Sequence, residues 1–122
     1  MSKVVILGHS PGKTSIDIRP SPSLNRINKW MDACNVITYS FTNLCAHHAP
    51  ELKLKDVDTD WVLSNLDGYE KVVALGGLAA KFCERNGISH LAAPHPSPRN
   101  RKFNDKSFEP AFINTLKEYL NV

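Results

Sequence analysis

The sequence predicts an α/β fold: three α/β/α layers built on a mostly parallel four-stranded sheet. Two observations predict it. Short apolar runs suited to strands alternate with segments of helical periodicity along the whole chain, and strands that run parallel to their neighbours need crossovers of this kind. Glycine, proline or histidine clusters also follow each strand signal, where an open parallel sheet forms its ligand crevice.

The first strand is expected at Lys3 to Leu7. Ser23 is read as the N-cap of a helix over Leu24 to Ala33, in which Leu24, Ile27, Trp30 and Met31 share one face. A second strand follows at Val36 to Phe41. Asp58 or Thr59 then starts a helix reaching Leu66, and Lys71 to Leu75 gives the third strand. Leu78 to Arg85 forms the third helix, stopped by Asn86-Gly87, and a weaker strand signal runs from Ser89 to Ala92. Ser107 or Asp105 introduces the last helix, where Phe108, Phe112, Leu116 and Leu120 recur at helical spacing and point to core packing.

The 122 residues fit one domain, 1–122, and a chain of this length buries roughly two thirds of its unfolded surface. With 42% hydrophobic residues, 22% charged residues and a formal net charge of +3, the composition is that of an ordinary globular protein with a slight leaning towards polyanions. Cys34, Cys45 and Cys83 are odd in number and lack a repeat spacing, which argues for reduced thiols in a cytoplasmic setting. The apolar run Val4 to Leu7 is far too short for a signal peptide or a membrane span, so no membrane partner is expected.

The stretch Leu7-Gly-His-Ser-Pro-Gly-Lys-Thr-Ser15 imitates a phosphate-binding loop. That motif needs four residues between its glycines, whereas three separate Gly8 from Gly12-Lys13-Thr14. Pro11 removes an amide from the cradle, and no apolar strand with a terminal acid follows to hold magnesium. Pro11 and Gly12 instead give a stiff turn followed by a hinge, suited either to an ordinary βα turn or to close backbone approach to a ligand. "CAHH", with Cys45, His47 and His48, falls short of the four well-spaced donors of a tetrahedral site. No metal or other cofactor is expected.

Taken together and in order, the opening loop, "SFTNLCAHHAP", "VVALGGLAAKF" and "HPSPRNR" resemble the uracil-DNA glycosylase superfamily over nearly the whole chain. "HPSP" is the most specific of these elements. The resemblance implies a uracil-DNA glycosylase-like fold and a flip-and-excise reaction on uracil or a related modified pyrimidine. The partner would be DNA, single or double stranded, with the free base as product and a monomeric protein as catalyst. The branch that carries an iron-sulfur cluster is excluded, because its four-cysteine pattern is missing.

By the same resemblance, His95 would donate to uracil O2 as charge develops there, and one such donor is worth about 3 to 4 kcal/mol in comparable oxyanion sites. Asn43 would accept from N3-H and donate to O4, a pattern cytosine cannot satisfy. His9 and Ser10 stand where active members usually carry Asp, Asn or Glu. They are taken as catalytic, with His47, His48 or the nearby Asp17 as further groups for water. Gly8, Pro11 and Phe41 would border the base. No aromatic residue lies between Pro11 and Trp30, so Tyr39, Phe41 or Phe103 would have to stack on it. Gly12, Lys13, Ser97, Arg99, Arg101 and Lys102 would meet the DNA backbone, and Arg99 or Asn100 would fill the gap left by the flipped base.

Read without the resemblance, Asn43 is a loop amide, His95 a histidine held between prolines, and the arginine cluster a solvated turn. The alternative function is a weak or inactive module of the same fold that binds DNA or a base without hydrolysis.

Overall fold

Strand β1 (Val4–Gly8) divides the core in two. Val4 and Ile6 face one side of the sheet and Val5 and Leu7 the other, all four no more than 5% exposed. The computed structural model describes residues 3–10, 22–47, 49, 51–96 and 100–120. Around β1 it places β2 (Ser40–Asn43), β3 (Lys71–Leu75) and β4 (Leu91–Ala93) in the order β2-β1-β3-β4, each pairing parallel.

The helices are α1 (Pro22–Ala33), α2 (Thr59–Leu66), α3 (Gly76–Arg85) and α4 (Phe108–Leu120). Ile27, Trp30 and Met31 of α1 pack with Phe112, Leu116 and Leu120 of α4 over Val4, Ile6, Val73 and Leu75. Val62 and Leu66 of α2 pack with Ala79, Phe82 and Cys83 of α3 over Val5, Leu7, Val72 and Ala74. The hand of the crossovers explains this division. The chain moves one way from β1 to β2 and the other way from β2 to β3 and on to β4, so right-handed connections put α1 on one face and α2 and α3 on the opposite face. The result is a three-layer α/β/α fold. Trp30 and Phe82, each 1% exposed, anchor the two halves, and truncating either to alanine costs about 3–5 kcal/mol.

Several boundaries differ from the sequence expectation. β1 runs Val4–Gly8 rather than Lys3 to Leu7, and β2 starts at Ser40 rather than Val36. Val36 completes the end of α1 instead, its amide donating to Met31 O at 2.9 Å after Asn35 turns at φ 59°, and Ile37 is 97% exposed. Pairing with β1 begins only at Val5↔Ser40 and carries β2 on to Asn43. Pro22 already belongs to α1, so Ser23 lies inside the helix and is not its cap. A proline suits the first helical turn, where its missing N-H has no partner to lose.

α3 starts at Gly76 rather than Leu78, which takes both glycines into its first turn. β4 is Leu91–Ala93 rather than Ser89 to Ala92. Asp58 caps α2, its carboxylate accepting from Trp61 N at 3.1 Å. Asp105 accepts from Ser107 N at 2.9 Å ahead of α4. Among the described residues no helix is long and apolar enough to cross a membrane.

Candidate functional site

The pairings Ile6↔Phe41 and Gly8↔Asn43 put Phe41 and Asn43 on one face of β2, two residues apart. Gly8 is the space they use. A Cβ built there would lie 2.5 Å from Asn43 Oδ1 and 3.0 Å from Phe41 Cζ, so the amide and the ring both fold over the end of β1. Phe41 stays 44% exposed. The other two candidates for stacking stand elsewhere. Tyr39 precedes β2 and donates its hydroxyl to Asn28 Oδ1. Phe103 lies under the Arg26 guanidinium, 3.9 Å from its centroid, and packs against Trp30 and Phe108.

His9 follows β1 directly. Its Nε2 lies 3.1 Å from Ala49 O. A carbonyl only accepts, so Nε2 carries the hydrogen and Nδ1 of the neutral ring is left as an acceptor. The fully buried Leu44 ties the two strand ends together, its amide donating to Gly8 O and His9 O, each at 3.1 Å. Ser10 continues the loop, partly buried.

His95 reaches the same edge of the sheet two residues past β4. It lies over Gly76, where a Cβ would stand 3.8 Å from His95 Cδ2, and Gly76 itself has φ +82°, a conformation that favours glycine. The His95 side chain keeps solvent access at the rim. Burial of the ring, and then the repulsion between two protonated rings that His9 adds, push its pKa below the usual histidine range, so the imidazole is neutral at neutral pH. His9, Gly8, Asn43, Phe41 and His95 therefore share the carboxyl edge of one sheet, contributed by three strands.

The segment carrying His95 is held from three directions. Pro96 is fully buried. Asn100 Nδ2 donates to His95 O at 3.0 Å while its Oδ1 accepts from Lys102 N at 3.1 Å. Asn100 thus staples this loop on both sides. Arg26 Nη1 reaches Pro96 O at 3.5 Å, and its Nε pairs with Glu109 at 3.0 Å. Glu109 also accepts from Trp30 Nε1 at 2.9 Å and Lys29 Nζ at 3.1 Å. Burial raises the Glu109 pKa, but hydrogen bonds from Trp30 and Lys29 and the charges of Lys29 and Arg26 outweigh it, leaving the carboxyl below its usual range.

None of these supporting contacts was read from the sequence, although Asn100 is of a residue type that favours a local turn. Trp30 and Glu109 meet across 79 residues, a separation at which spacing carries no signal.

Arg101 and Lys102 lie in a short 3₁₀ turn at Arg101–Asn104, both exposed. Pro11, Gly12, Lys13, Ser97 and Arg99 lie outside the described residues, as do Asp17 and His48. Cys45 Sγ donates to the carbonyl of His47 at 3.1 Å. Among the described residues no three His, Cys, Asp or Glu side chains group closely enough to hold a metal ion. No protein-family model and no curated protein sequence matches the chain.

Proposed function

We propose that the chain is a uracil-DNA glycosylase-like N-glycosylase, which flips uracil or a related modified pyrimidine out of DNA and hydrolyses its N-glycosidic bond. The observation that carries this reading is the placement of the Asn43 amide over Gly8 on the same sheet edge as a neutral His95 within the electrostatic reach of His9. An amide offers one acceptor and one donor side by side, which matches N3-H and O4 of uracil. A neutral imidazole donates one N-H, which suits uracil O2.

In the proposed reaction the C1′–N1 bond breaks and its electron pair leaves with the pyrimidine, the charge on O2 being met by the His95 N-H. Water adds through oxygen to C1′ and loses a proton to His9 Nδ1, the acceptor left free by the Ala49 contact. The products are an abasic sugar and the free base. Phe41, exposed beside Asn43, supplies the ring for stacking. Arg101 and Lys102 give the DNA backbone positive charge, and the chain acts as a monomer. The free thiols of Cys34, Cys45 and Cys83 suit a reducing compartment such as the cytoplasm.

The test is incubation with uracil-containing oligonucleotides, single stranded and paired with A or G, followed by alkali and a search for strand breaks, with His95→Ala as control. Intact strands throughout would retire the reading. A second reading, a binding module without hydrolysis, is favoured by one feature: the loop after β1 offers His9 and Ser10 where a carboxylate would orient water. It expects salt-sensitive DNA binding without abasic product.

A further inference from the structure

A cleft of about 710 Å³ opens beside His95 on the β4 side of the sheet, away from Asn43. Gly77 and Ala80 of α3 line it from one face of the sheet, Ala111 and Phe112 of α4 from the other, and Ala92 and Ala93 lie between them. Because α3 and α4 belong to opposite layers, the cleft wraps around the outer edge of β4, which no other strand covers among the described residues. Its walls are small. A Cβ at Gly77 would meet nothing within 4 Å, and Ala92 and Ala111 are exposed.

The mouth has a different chemistry. His95, Asn100, Lys102 and Phe108 gather there, with the Lys102 ammonium 5.9 Å from the centroid of the Phe108 ring. A cation beside a partly exposed ring is the combination that holds single-stranded nucleic acid: the charge tracks the backbone while the ring stacks on a base. The volume lies within the roughly 300–1,000 Å³ of small-ligand sites.

We propose that this cleft takes the nucleotide next to the flipped one, its base against Phe108 between α3 and α4 and its phosphate at Lys102. The identity of the strand rests on the glycosylase reading above. His95 borders the cleft and stands on the sheet edge that also carries His9 and Asn43, so a strand whose flipped base lies between Asn43 and His95 passes His95 on its way into the cleft. Two adjoining bases drawn out of the stack cannot stay paired in a duplex, so the preferred substrate is single stranded or locally melted DNA. An extended peptide pairing with β4 is the competing occupant, and it is disfavoured because a strand of three residues gives too short a ladder.

Binding is measured by fluorescence anisotropy on a short oligothymidylate and on an equally long strand of base-free deoxyribose phosphates, for the wild type, Ala111→Trp and Phe108→Ala. Ala111 is exposed, so a tryptophan there fills the cleft without entering the core. The wild type is expected to favour the oligothymidylate by at least about tenfold, the scale of one stacked base. Ala111→Trp and Phe108→Ala should reduce that preference by about tenfold, leaving what Phe41 and Asn43 contribute, while the salt dependence from phosphate contacts persists.

A preference undiminished by Ala111→Trp overturns the proposal, as does a wild type that binds both strands equally. Uracil excision from a single-stranded oligonucleotide, read in parallel, separates the two readings. Excision lost with the cleft-dependent preference intact retires the glycosylase reading alone. Excision intact with a preference indifferent to Ala111→Trp retires the cleft alone.

Discussion

Asn43 Oδ1 occupies a position 2.5 Å from where a Cβ on Gly8 would be, so the glycine is the floor on which the amide rests. The obstructing atoms belong to the ends of the Asn43 and Phe41 side chains, which can swing aside. Gly8→Ala should therefore fold with little loss of melting temperature yet displace the amide. Misplacement of about 1 Å at a positioned group costs on the order of 100-fold, and a comparable drop in kcat/KM for uracil excision is expected. Excision at the wild-type rate would detach Gly8 from base recognition.

His95→Ala should lower kcat by about 100- to 1,000-fold, the loss seen when one oxyanion donor is removed. The pH profile carries a second check. The folded pKa of His95 is depressed, by burial first and His9 second, so the unfolded chain takes up the proton before the folded one does. Stability on this account falls as pH drops from the ordinary histidine range through the folded value. Urea midpoints should therefore show the wild type losing stability relative to His95→Ala as pH falls below the ordinary histidine range.

Glu109 receives Trp30 and Arg26 in a largely enclosed site, its side chain 16% exposed, while Lys29 is 64% exposed. Exposed pairs contribute little. Glu109→Ala should cost about 1–3 kcal/mol, since it strands the Trp30 N-H and the Arg26 charge, whereas Lys29→Ala should cost at most about 0.5 kcal/mol. The Glu109 pKa lies below its usual value despite burial that raises it, because the hydrogen bonds and charges of its partners prevail. Its contribution is therefore complete above the unfolded carboxyl pKa and is lost as pH falls through the folded one. Urea midpoints of the variants at neutral and acidic pH would show the difference between wild type and Glu109→Ala shrinking in acid.

The two glycines that open α3 should respond in opposite ways to alanine. Gly76, at φ +82°, forces a left-handed conformation on any replacement, at a cost of about 1–2 kcal/mol. Gly77 has open space at its Cβ position, so Gly77→Ala should gain up to about 1 kcal/mol of helix propensity. Thermal unfolding of the two single variants tests the contrast.

Thiol labelling should divide the cysteines. Cys34 and Cys83 are fully buried, and burial above all raises both thiols, Cys83 to about 11. Cys45, partly exposed, should react in the folded protein, with the other two reacting only after unfolding. Rapid native labelling of Cys83 would mean that α3 opens away from the sheet.

The alternation of strands and helices was legible because each element carries its own period: Val4 to Leu7 and Val72 to Leu75 are apolar on both faces, as buried parallel strands are. The start of β2 was not legible, since Val36 and Ile37 have strand-forming side chains that the chain spends on capping α1 and on solvent. The carboxyl edge as the meeting place of His9, Asn43 and His95 follows from topology and so could be read in advance. The devices that hold His95 could not, because Arg26, Trp30, Asn100 and Glu109 come from three separate segments whose contact only the folded chain creates. The choice among Tyr39, Phe41 and Phe103 likewise needed side-chain direction, which spacing does not give.

One amide, that of Leu44, is shared between two carbonyls, so the first residues past β1 and β2 are tied to each other. Neither strand end can part from the other while that amide keeps both acceptors, so the stretches carrying His9 and Asn43 become ordered in one event. The entropy of fixing the two strand ends is met once instead of twice, and slow deuterium exchange at that single buried N-H would report that they stay joined.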